Sequence, residues 1–345
     1  MRKLLLPFSW IYGGITSLRN LLYDKGWFRS VTFNVPVLCV GNITVGGTGK
    51  TPCIEYLIQL LSDIRQPGLV SRGYRRKTKG VVMADAGSDA LTIGDEPYQI
   101  KQRFPGLPIV VSGDRVKGIN HLLAHSKTNV VLMDDGFQHR AVQAGLYVMM
   151  MDYNRPIWKD HPFPAGSLRE PASGRRRANL LIVNKCPGDM SEGERNLFFH
   201  KLTLRPDQHL FFTSINYGSL KPFKHRNVLP SRVDRVVAVS GIANPTPFHN
   251  YLHDSGYSIM PMPFGDHHHF GEDDLKRIED GFLSAGEGVH VVVMTEKDAA
   301  RMDSMDLGRF AFANHLYYLP IGLEFLFNEK NKFDQLIKHY VGKNQ

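Results

Sequence analysis

The sequence of 345 residues is poor in cysteine, in long apolar runs and in negative charge. Its three cysteines lie far apart without a C-x-x-C pair, which argues against a disulfide framework or zinc site and favours a reducing cytosol. A membrane-spanning helix needs roughly 20 apolar residues in succession, and no such run occurs. The formal net charge of +9 favours an anionic partner, such as a nucleotide, a nucleic acid, a phospholipid surface or an acidic substrate.

The composition is that of a globular protein, with 42% hydrophobic and 22% charged residues. Apolar runs such as VPVLCVGN, TNVVLMDDG and NLLIVNK alternate with helical stretches. Because these runs are continuously apolar rather than alternating, they predict strands buried on both faces. The pattern predicts an α/β fold with a mostly parallel sheet flanked by helices. After about Asp189, later strand–helix pairs predict a second, smaller α/β unit.

The N-terminal segment predicts an amphipathic helix. Apolar residues recur at helical spacing from Leu4 to Tyr23, basic residues accompany them, and Trp10 and Trp27 suit a lipid headgroup layer. Two interpretations remain open, because apolar periodicity does not separate a helix on a membrane surface from one docked on the core. A secretory signal is disfavoured, since no small-residue cleavage site follows and Arg19 interrupts the segment.

The stretch TVGGTGKT, residues 44–51, has the form of a phosphate-binding loop between a predicted strand and a predicted helix. Its glycines let backbone N–H groups converge on phosphate oxygens, and Lys50 would reach the β- and γ-phosphates of ATP. The Thr51 hydroxyl would bind Mg²⁺. The first position of the usual motif is Thr44 instead of glycine, which weakens the match only slightly. The candidate nucleotide-binding residues are Thr44, Gly46, Gly47, Thr48, Gly49, Lys50 and Thr51.

Carboxylates and an arginine follow other predicted strands. Asp134 and Asp135 end TNVVLMDDG at the strand edge where open α/β sheets bind ligands, and with the glycine loop upstream they predict Mg²⁺ coordination rather than a solvated turn. Asp95 in IGDEP is either a helix N-cap or a general base. Arg115 in VVSGDRVKG either neutralises a transferred phosphoryl group or forms a surface ion pair.

Two further stretches carry possible site residues. Consecutive histidines in PFGDHHHF point in different directions, so a zinc site is a poor interpretation, whereas one Asp or His reaching across a domain cleft could assist a carboxylate base. The basic stretches SRGYRRKTKG, which includes Arg72, and GRRR could bind a phosphorylated substrate or an anionic leaflet. Ordinary solvated surface is the alternative for each of these basic residues.

Several classes of P-loop protein are disfavoured. A GTPase needs N-K-x-D, and the chain has Asn184 and Lys185 but Pro187 in place of the aspartate. Membrane-associated partitioning ATPases have a lysine where this chain has Val45. A nucleic-acid motor would suit the charge, but no second motor unit is recognisable. A regulatory ATPase and a nucleic-acid-binding ATPase remain the competing hypotheses.

The motifs GNITVGGTGKTP, LVSRGYRRK, GDEP, GDR, DDGFQH, FPAGSLREP, SGIANPTPF, DHHHF and TEKDAAR occur in this order. Together they resemble the tetraacyldisaccharide 4'-kinase family of lipid A biosynthesis, from the N-terminal helix to about Arg301. The resemblance implies ATP- and Mg²⁺-dependent phosphorylation of the 4'-hydroxyl of a tetraacylated glucosamine disaccharide 1-phosphate. It also implies a peripheral enzyme on the anionic cytoplasmic face of the bacterial inner membrane, without a nucleic-acid partner.

The resemblance implies a P-loop NTPase-type fold with an N-terminal membrane-interacting helix (1–32), a kinase core (33–205) and a smaller C-terminal α/β domain with its connector (206–345). It makes Asp95 the general base, assisted by His267, with Lys50 and Arg115 completing the catalytic set. The family's motif usually has a small residue where this chain has Arg75, which leaves the role of that loop open. The remaining implied site residues are Thr51, Asp134 and Asp135 for the metal, and Gln138, His139, Glu170, Arg72 and Tyr74 for substrate or phosphates.

Overall fold

The structure, a computed structural model, describes residues 2–224, 229–266, 268–286 and 288–343. Strands of the first two thirds of the chain are β1 (Val37–Gly41), β2 (Pro67–Ser71), β3 (Val82–Met83), β4 (Ile109–Val111), β5 (Val130–Asp134), β6 (Leu146–Asp152), β7 (Leu180–Asn184) and β8 (His209–Tyr217). The α-helices among them are α1 (Leu6–Asp24), α2 (Lys50–Ser62), α3 (Ala90–Ile93), α4 (Asp95–Arg103), α5 (Arg115–His125) and α6 (Glu192–Leu202).

The rest of the described chain forms a second set of elements. Its strands are β9 (Lys221–Pro222), β10 (Arg235–Ser240), β11 (Ser258–Pro263), β12 (His290–Thr295), β13 (Leu316–Leu319) and β14 (Ile321–Phe325). Its helices are α7 (Thr246–Asp254), α8 (Glu272–Leu283), α9 (Glu296–Met302) and α10 (Lys330–Lys343). Short 3₁₀ helices occur at Arg2–Leu5, Ile157–Lys159, Ala172–Arg177 and Ala313–His315.

The larger sheet has nine described strands in the order β14-β8-β7-β6-β1-β5-β2-β4-β3, with only the edge strands β3 and β14 antiparallel to their neighbours. β1 lies at its centre, and its alternate side chains enter two different cores. Leu38 and Val40 pack on the side that α2 covers, whereas Val37 and Cys39 pack on the other side. Burial on both faces is what the continuous apolar runs predicted, and the predicted α/β class is confirmed.

The smaller sheet, in the order β11-β10-β12-β13-β9, is built from a segment inserted between β8 and β14. Where the chain leaves and re-enters the larger sheet, the Gly218 amide donates to the Pro320 carbonyl over 2.9 Å. β8 and β14 then pair with each other in the larger sheet, and α10 packs Phe333 and Ile337 into its core. The expected boundary at residue 206 is therefore corrected, because long-range pairing returns β8, β14 and α10 to the larger unit.

Helix α1 docks on the core through small and polar residues. Ser9 accepts a hydrogen bond from the Ala165 amide over 2.9 Å, and Tyr12 donates to the Arg169 carbonyl over 2.9 Å. Gly13 lies where a side chain would meet two prolines. Large apolar residues of the helix point away from the core and are exposed, namely Phe8, Trp10, Ile11, Ile15, Leu18 and Leu21, and Leu4 of the preceding 3₁₀ helix is exposed as well. Among the described residues, no helix is long and apolar enough to cross a bilayer.

Candidate active site

The glycine loop connects β1 to α2 as the sequence predicted, and two of its glycines adopt backbone angles that other residues rarely take. Gly46 has φ 98° and Gly49 has φ 92°, and Gly49 caps the N-terminus of α2. Lys50 and the buried Thr51 follow in the first turn of the helix. This arrangement directs a helix N-terminus and a lysine at one place, which favours a bound anion there.

The register of the central strands sets the carboxylate pair beside this loop. β1 and β5 are parallel, and Val40 lies opposite Asp134. Asp135, at φ 46°, turns its carboxylate to Lys50, whose Nζ lies 3.4 Å from Oδ1, and to Arg169, whose Nη1 lies 2.9 Å away. Burial opposes ionisation of Asp135, but Lys50 and Arg169 together lower its pKa. The two basic groups are therefore held in place by an ionised carboxylate.

Asp134 is in a different electrostatic position, because it is buried and has acids nearby. Its Oδ2 accepts a hydrogen bond from the Ser71 hydroxyl over 2.9 Å. Burial, followed by the negative charges of Glu96 and Asp135, raises the pKa of Asp134 to about 6. Because its surroundings disfavour the ionised form of this carboxylate, a cation that binds beside it would stabilise that form.

The surroundings of Asp134 fit Mg²⁺ in the manner of a P-loop protein, which uses a Thr hydroxyl, one or two carboxylates and the phosphates themselves. Asp134 and Thr51 are the residues that can supply such a site. Asp135 was expected as a ligand as well, but its contacts are with Lys50 and Arg169. Within the described ranges no group of three or more His, Cys, Asp or Glu side chains is arranged to hold a metal by itself.

The acids at the start of α4 are paired with bases from α9 of the inserted segment. Asp95 is 7% exposed, and Arg301 Nε donates to its Oδ2 over 2.9 Å. Glu96 accepts from Lys297 Nζ over 3.0 Å, and Lys297 lowers the pKa of Glu96 against the cost of burial. Arg301 also pairs with Asp298 over 2.8 Å, which fixes the guanidinium on its own helix. The inserted segment therefore contributes directly to the surroundings of the candidate base.

Arg115 occupies a position that differs from the expected contact with a phosphoryl group. It is 2% exposed, and its guanidinium donates to the main-chain carbonyls of Ser112 (2.6 Å) and Asp134 (3.3 Å). Its backbone N–H donates to Nε2 of His139 over 3.3 Å. Burial and the charge of Arg115 lower the pKa of His139. Arg115 thus ties together strand ends beneath the site, and His139 is a neutral acceptor.

Gln138 and Glu170 connect the loop to helix α1. The Gln138 amide donates to the Asn42 carbonyl over 2.8 Å and to Glu170 over 2.9 Å. Glu170, 1% exposed, also receives two hydrogen bonds of 2.8 Å from Arg177 and one of 2.9 Å from Asn20 of α1. Since these donors surround its carboxylate, Glu170 has a structural role: it connects α1 to Gln138 and Arg177.

A cavity of about 330 Å³ lies beside Asp134, Asp135 and Arg169. Its walls come from the strand ends, from the loop after β2 and from α1. They include Glu96, Asp134, Asp135 and Arg169, then Arg72 and Tyr74, and on the α1 side Tyr12, Thr16 and Arg19. The cavity thus joins the acidic end of the sheet to the helix whose other face exposes apolar side chains. His267 lies outside the described residues.

Sequence reasoning missed Arg169, Lys297 and Arg301. Arg169 stands beside Glu170 in LREP, and the other two stand in TEKDAAR, so the motifs themselves were recognised. No local spacing signals that a residue of α9 meets Asp95, because that ion pair spans 206 positions of the chain. His268, the neighbour of His267, forms a hydrogen bond between its Nε2 and Asp274 Oδ2 over 2.9 Å.

A central parallel strand running into a glycine loop, with strand-end carboxylates beside it, defines a P-loop NTPase-type protein. Comparison narrows the class: the family model described as tetraacyldisaccharide-1-P 4'-kinase (LpxK) matches residues 1–341. The chain belongs to this family. A tetraacyldisaccharide 4'-kinase of Bacteroides fragilis is 42% identical, covering 100% of this chain and 94% of that protein, and one of Flavobacterium johnsoniae is 41% identical, covering 100% and 98%.

A solved structure, the "apo" form of LpxK from Aquifex aeolicus in complex with ATP, is similar to this chain with a TM-score of 0.77. It is 29% identical, and the match covers 99% of both chains. The family resemblance read from the ordered motifs is thereby confirmed over almost the whole length.

Proposed function

We propose that phosphoryl transfer takes place in the cavity beside the glycine loop, with Asp95 as the general base. As a member of its family, the chain is an ATP-dependent kinase that phosphorylates the 4'-hydroxyl of a tetraacylated glucosamine disaccharide 1-phosphate in lipid A biosynthesis. The ATP in the solved relative supports placing ATP on this loop. One observation carries the location: a single cavity is bounded both by the strand-end acids and by α1.

The loop and its neighbours account for binding of the donor. Backbone N–H groups of residues 46–51 and the α2 N-terminus face the phosphates, and Lys50, oriented by Asp135, lies where the β- and γ-phosphates would sit. Arg169 lines the cavity and, like Lys50, pairs with Asp135. It is therefore better placed than the buried Arg115 to stabilise negative charge that develops on the transferred group. Arg115 is assigned a positioning role.

Asp134 and the Thr51 hydroxyl would hold Mg²⁺. When bound, Mg²⁺ supplies positive charge to the phosphate oxygens and aligns them for in-line transfer. Asp134 meets this task as an ionised carboxylate, and Ser71 fixes which oxygen faces the cavity.

Asp95 is proposed to accept the proton of the sugar hydroxyl. Its ion pair with Arg301 fixes its orientation at the start of α4. The family resemblance adds His267 as a partner that shares the proton. With the hydroxyl oxygen held in line with the γ-phosphorus, proximity and charge neutralisation provide most of the acceleration.

We propose further that α1 places the enzyme on the anionic cytoplasmic face of the bacterial inner membrane as a peripheral protein. The supporting observation is the direction of its amphipathicity: polar groups hold it to the core, and its bulky apolar residues are exposed. A helix of this kind lies in the interface between headgroups and acyl chains. A lipid acceptor would then reach the cavity along α1 without leaving the membrane surface, and no nucleic-acid partner is invoked.

The base assignment is tested by kinetics of Asp95→Ala. Because the carboxylate acts on the acceptor, kcat should fall by about a hundredfold or more while the calorimetric Kd for ATP changes little. Asp303→Asn is the matched control, since Asp303 also pairs with α4 but contacts Tyr98 and Gln102, further along the helix. An Asp95→Ala enzyme with the kcat of the control would remove Asp95 from the mechanism.

A further inference from the structure

Thr48 lies at the centre of the glycine loop and is completely buried. Its hydroxyl accepts a hydrogen bond from the Asn42 side chain over 2.9 Å, and its main-chain carbonyl accepts one from the Asn184 side chain over 3.1 Å. The side chain and the main chain of Thr48 are therefore both hydrogen-bonded by residues outside the loop. Asn42 follows β1, and Asn184 ends β7. Such contacts fix the peptide planes on either side of Thr48.

Asn184 is itself held in one orientation. Its Nδ2 faces the Thr48 carbonyl, which can only accept, and its Oδ1 accepts from the Thr213 hydroxyl of β8 over 2.9 Å. Asn184 and Thr213 are 1% and 0% exposed, so this chain of hydrogen bonds is shielded from water. The amide also occupies the space beside Gly49, where a Cβ atom would come within 1.9 Å of Nδ2.

These contacts explain the incomplete N-K-x-D stretch. The Asn184 amide donates to Thr48 and accepts from Thr213, and Lys185 pairs with Asp152 over 2.7 Å. Neither side chain is directed to a nucleotide base by these contacts. In this chain Asn184 supports the glycine loop through Thr48.

We infer that Asn184, oriented by Thr213, is a positioning residue that holds the Thr48 peptide so that the loop N–H groups are preorganised for the phosphates of ATP. Preorganised donors bind an anion without the cost of ordering the loop first. Removing a buried partner leaves a polar group unsatisfied, and the loop can relieve this by turning the peptide away from the phosphates. The inference rests on the proposed placement of ATP on this loop.

The test measures the calorimetric Kd for ATP, with kcat and KM, in four full-length variants beside the wild type. Asn184→Asp keeps the shape but puts an acceptor against the Thr48 carbonyl. Thr213→Val removes the orienting hydroxyl without burying a charge, and Thr213→Ser restores it. Thr128→Val is the matched control, because Thr128 is buried and hydrogen-bonded far from the loop.

We expect Asn184→Asp to raise the Kd and KM for ATP by about tenfold or more and Thr213→Val by a few-fold at least. At saturating ATP kcat should change much less, since the lost interaction acts on ground-state binding. Thr213→Ser should bind like the wild type. A purely structural role would lower Tm in Thr213→Val and Thr128→Val alike and leave ATP binding unchanged.

The inference is overturned if Thr213→Val binds ATP within about twofold of the Thr128→Val control. Lys50→Ala separates this outcome from a failure of the proposed function. If Lys50→Ala loses ATP affinity while Thr213→Val does not, only the positioning role is lost. If Lys50→Ala binds ATP as the wild type does, the loop is not the ATP site and the proposed function fails with it.

Discussion

Asp134 is a proposed Mg²⁺ ligand whose pKa is set by its surroundings. Its pKa is raised to about 6 by burial, then by Glu96 and Asp135. The raised value favours the protonated form as pH falls through about 6, whereas a divalent cation binds only the ionised form. Binding of MgATP must therefore weaken in acid and release a proton.

The residue-scale prediction concerns the pH dependence of MgATP binding. Wild-type affinity should fall as pH is lowered from about 8 to about 5.5, and Asp134→Asn should bind more weakly with a flatter profile. Calorimetry of both proteins in the same buffers measures this, because protonation of ATP itself is common to both. Identical pH profiles would show that Asp134 does not titrate with binding.

At the level of single residues, the sequence predicted the groups that lie next to each other along a motif. Lys50 and Thr51 are placed by the loop, and the Asp134–Asp135 pair by the end of β5, so local pattern was sufficient. The environment of Arg115 was not predictable, because its burial depends on how the sheet arranges the ends of β4 and β5, which lie on either side of β2. The same applies to Arg301, which reaches Asp95 from a distant part of the chain.

At the scale of a single element, helix α1 differs in which of its residues contact the core and which are exposed. Periodicity predicted its amphipathic character but left open whether the helix lies on a membrane surface or docks on the core. In the structure its small and polar residues contact the core, and its large apolar residues are exposed. An apolar face turned outward is expected to insert among lipid acyl chains. The sequence alone did not decide this, since the partners of Ser9 and Tyr12 lie in the loop before β7, more than a hundred positions away.

The first element-scale prediction replaces three outward residues, Phe8, Ile11 and Ile15, with serine. Because these side chains are exposed, the fold should remain, while binding to anionic vesicles in a sedimentation assay should weaken at least about tenfold. The control carries serine at three exposed apolar residues elsewhere, namely Ile64, Leu197 and Leu283. Equal sedimentation of the two triple variants would exclude α1 as the membrane contact.

The contact of α2 with α4 contains a buried acid that the mechanism does not use. Glu55 is 2% exposed, and Gln99 and Arg103 donate to it over 3.0 and 2.6 Å. Burial, then the nearby Glu296, raises the pKa of Glu55 from 4.5 to about 8. Gln99 Oε1 has no hydrogen-bond partner in the described part of the chain, so after rotation of its amide it can accept from a protonated Glu55.

The second element-scale prediction follows from the sign of this shift. The folded state binds the Glu55 proton more tightly than the unfolded state, so the wild-type free energy of unfolding should fall as pH rises from about 5 to about 8. Glu55→Gln mimics the protonated side chain and should lose this part of the dependence, becoming the more stable protein at the upper end. Denaturant unfolding at several pH values measures it. A constant difference between the two proteins across this range would contradict a protonated Glu55.

At the scale of the whole molecule, the insertion between β8 and β14 places α9 against α4. The two helices share the ion pairs Asp95–Arg301 and Glu96–Lys297, so the smaller unit reaches the candidate base of the larger one. The sequence predicted two α/β units. It did not predict the return of the chain to the first sheet, because the pairing of β14 with β8 joins segments about a hundred positions apart and leaves no local pattern.

The central claim is that this molecule transfers the γ-phosphoryl group of ATP to a lipid-linked sugar hydroxyl in the cavity above Asp134. Its most direct measurement follows label from γ-labelled ATP incubated with a tetraacyldisaccharide 1-phosphate. Wild-type protein should place label in the lipid at the 4' position, and both Lys50→Ala and Asp95→Ala should slow the transfer by about a hundredfold or more. Label released only as inorganic phosphate, at a rate independent of the lipid, would contradict the account and identify an ATPase instead.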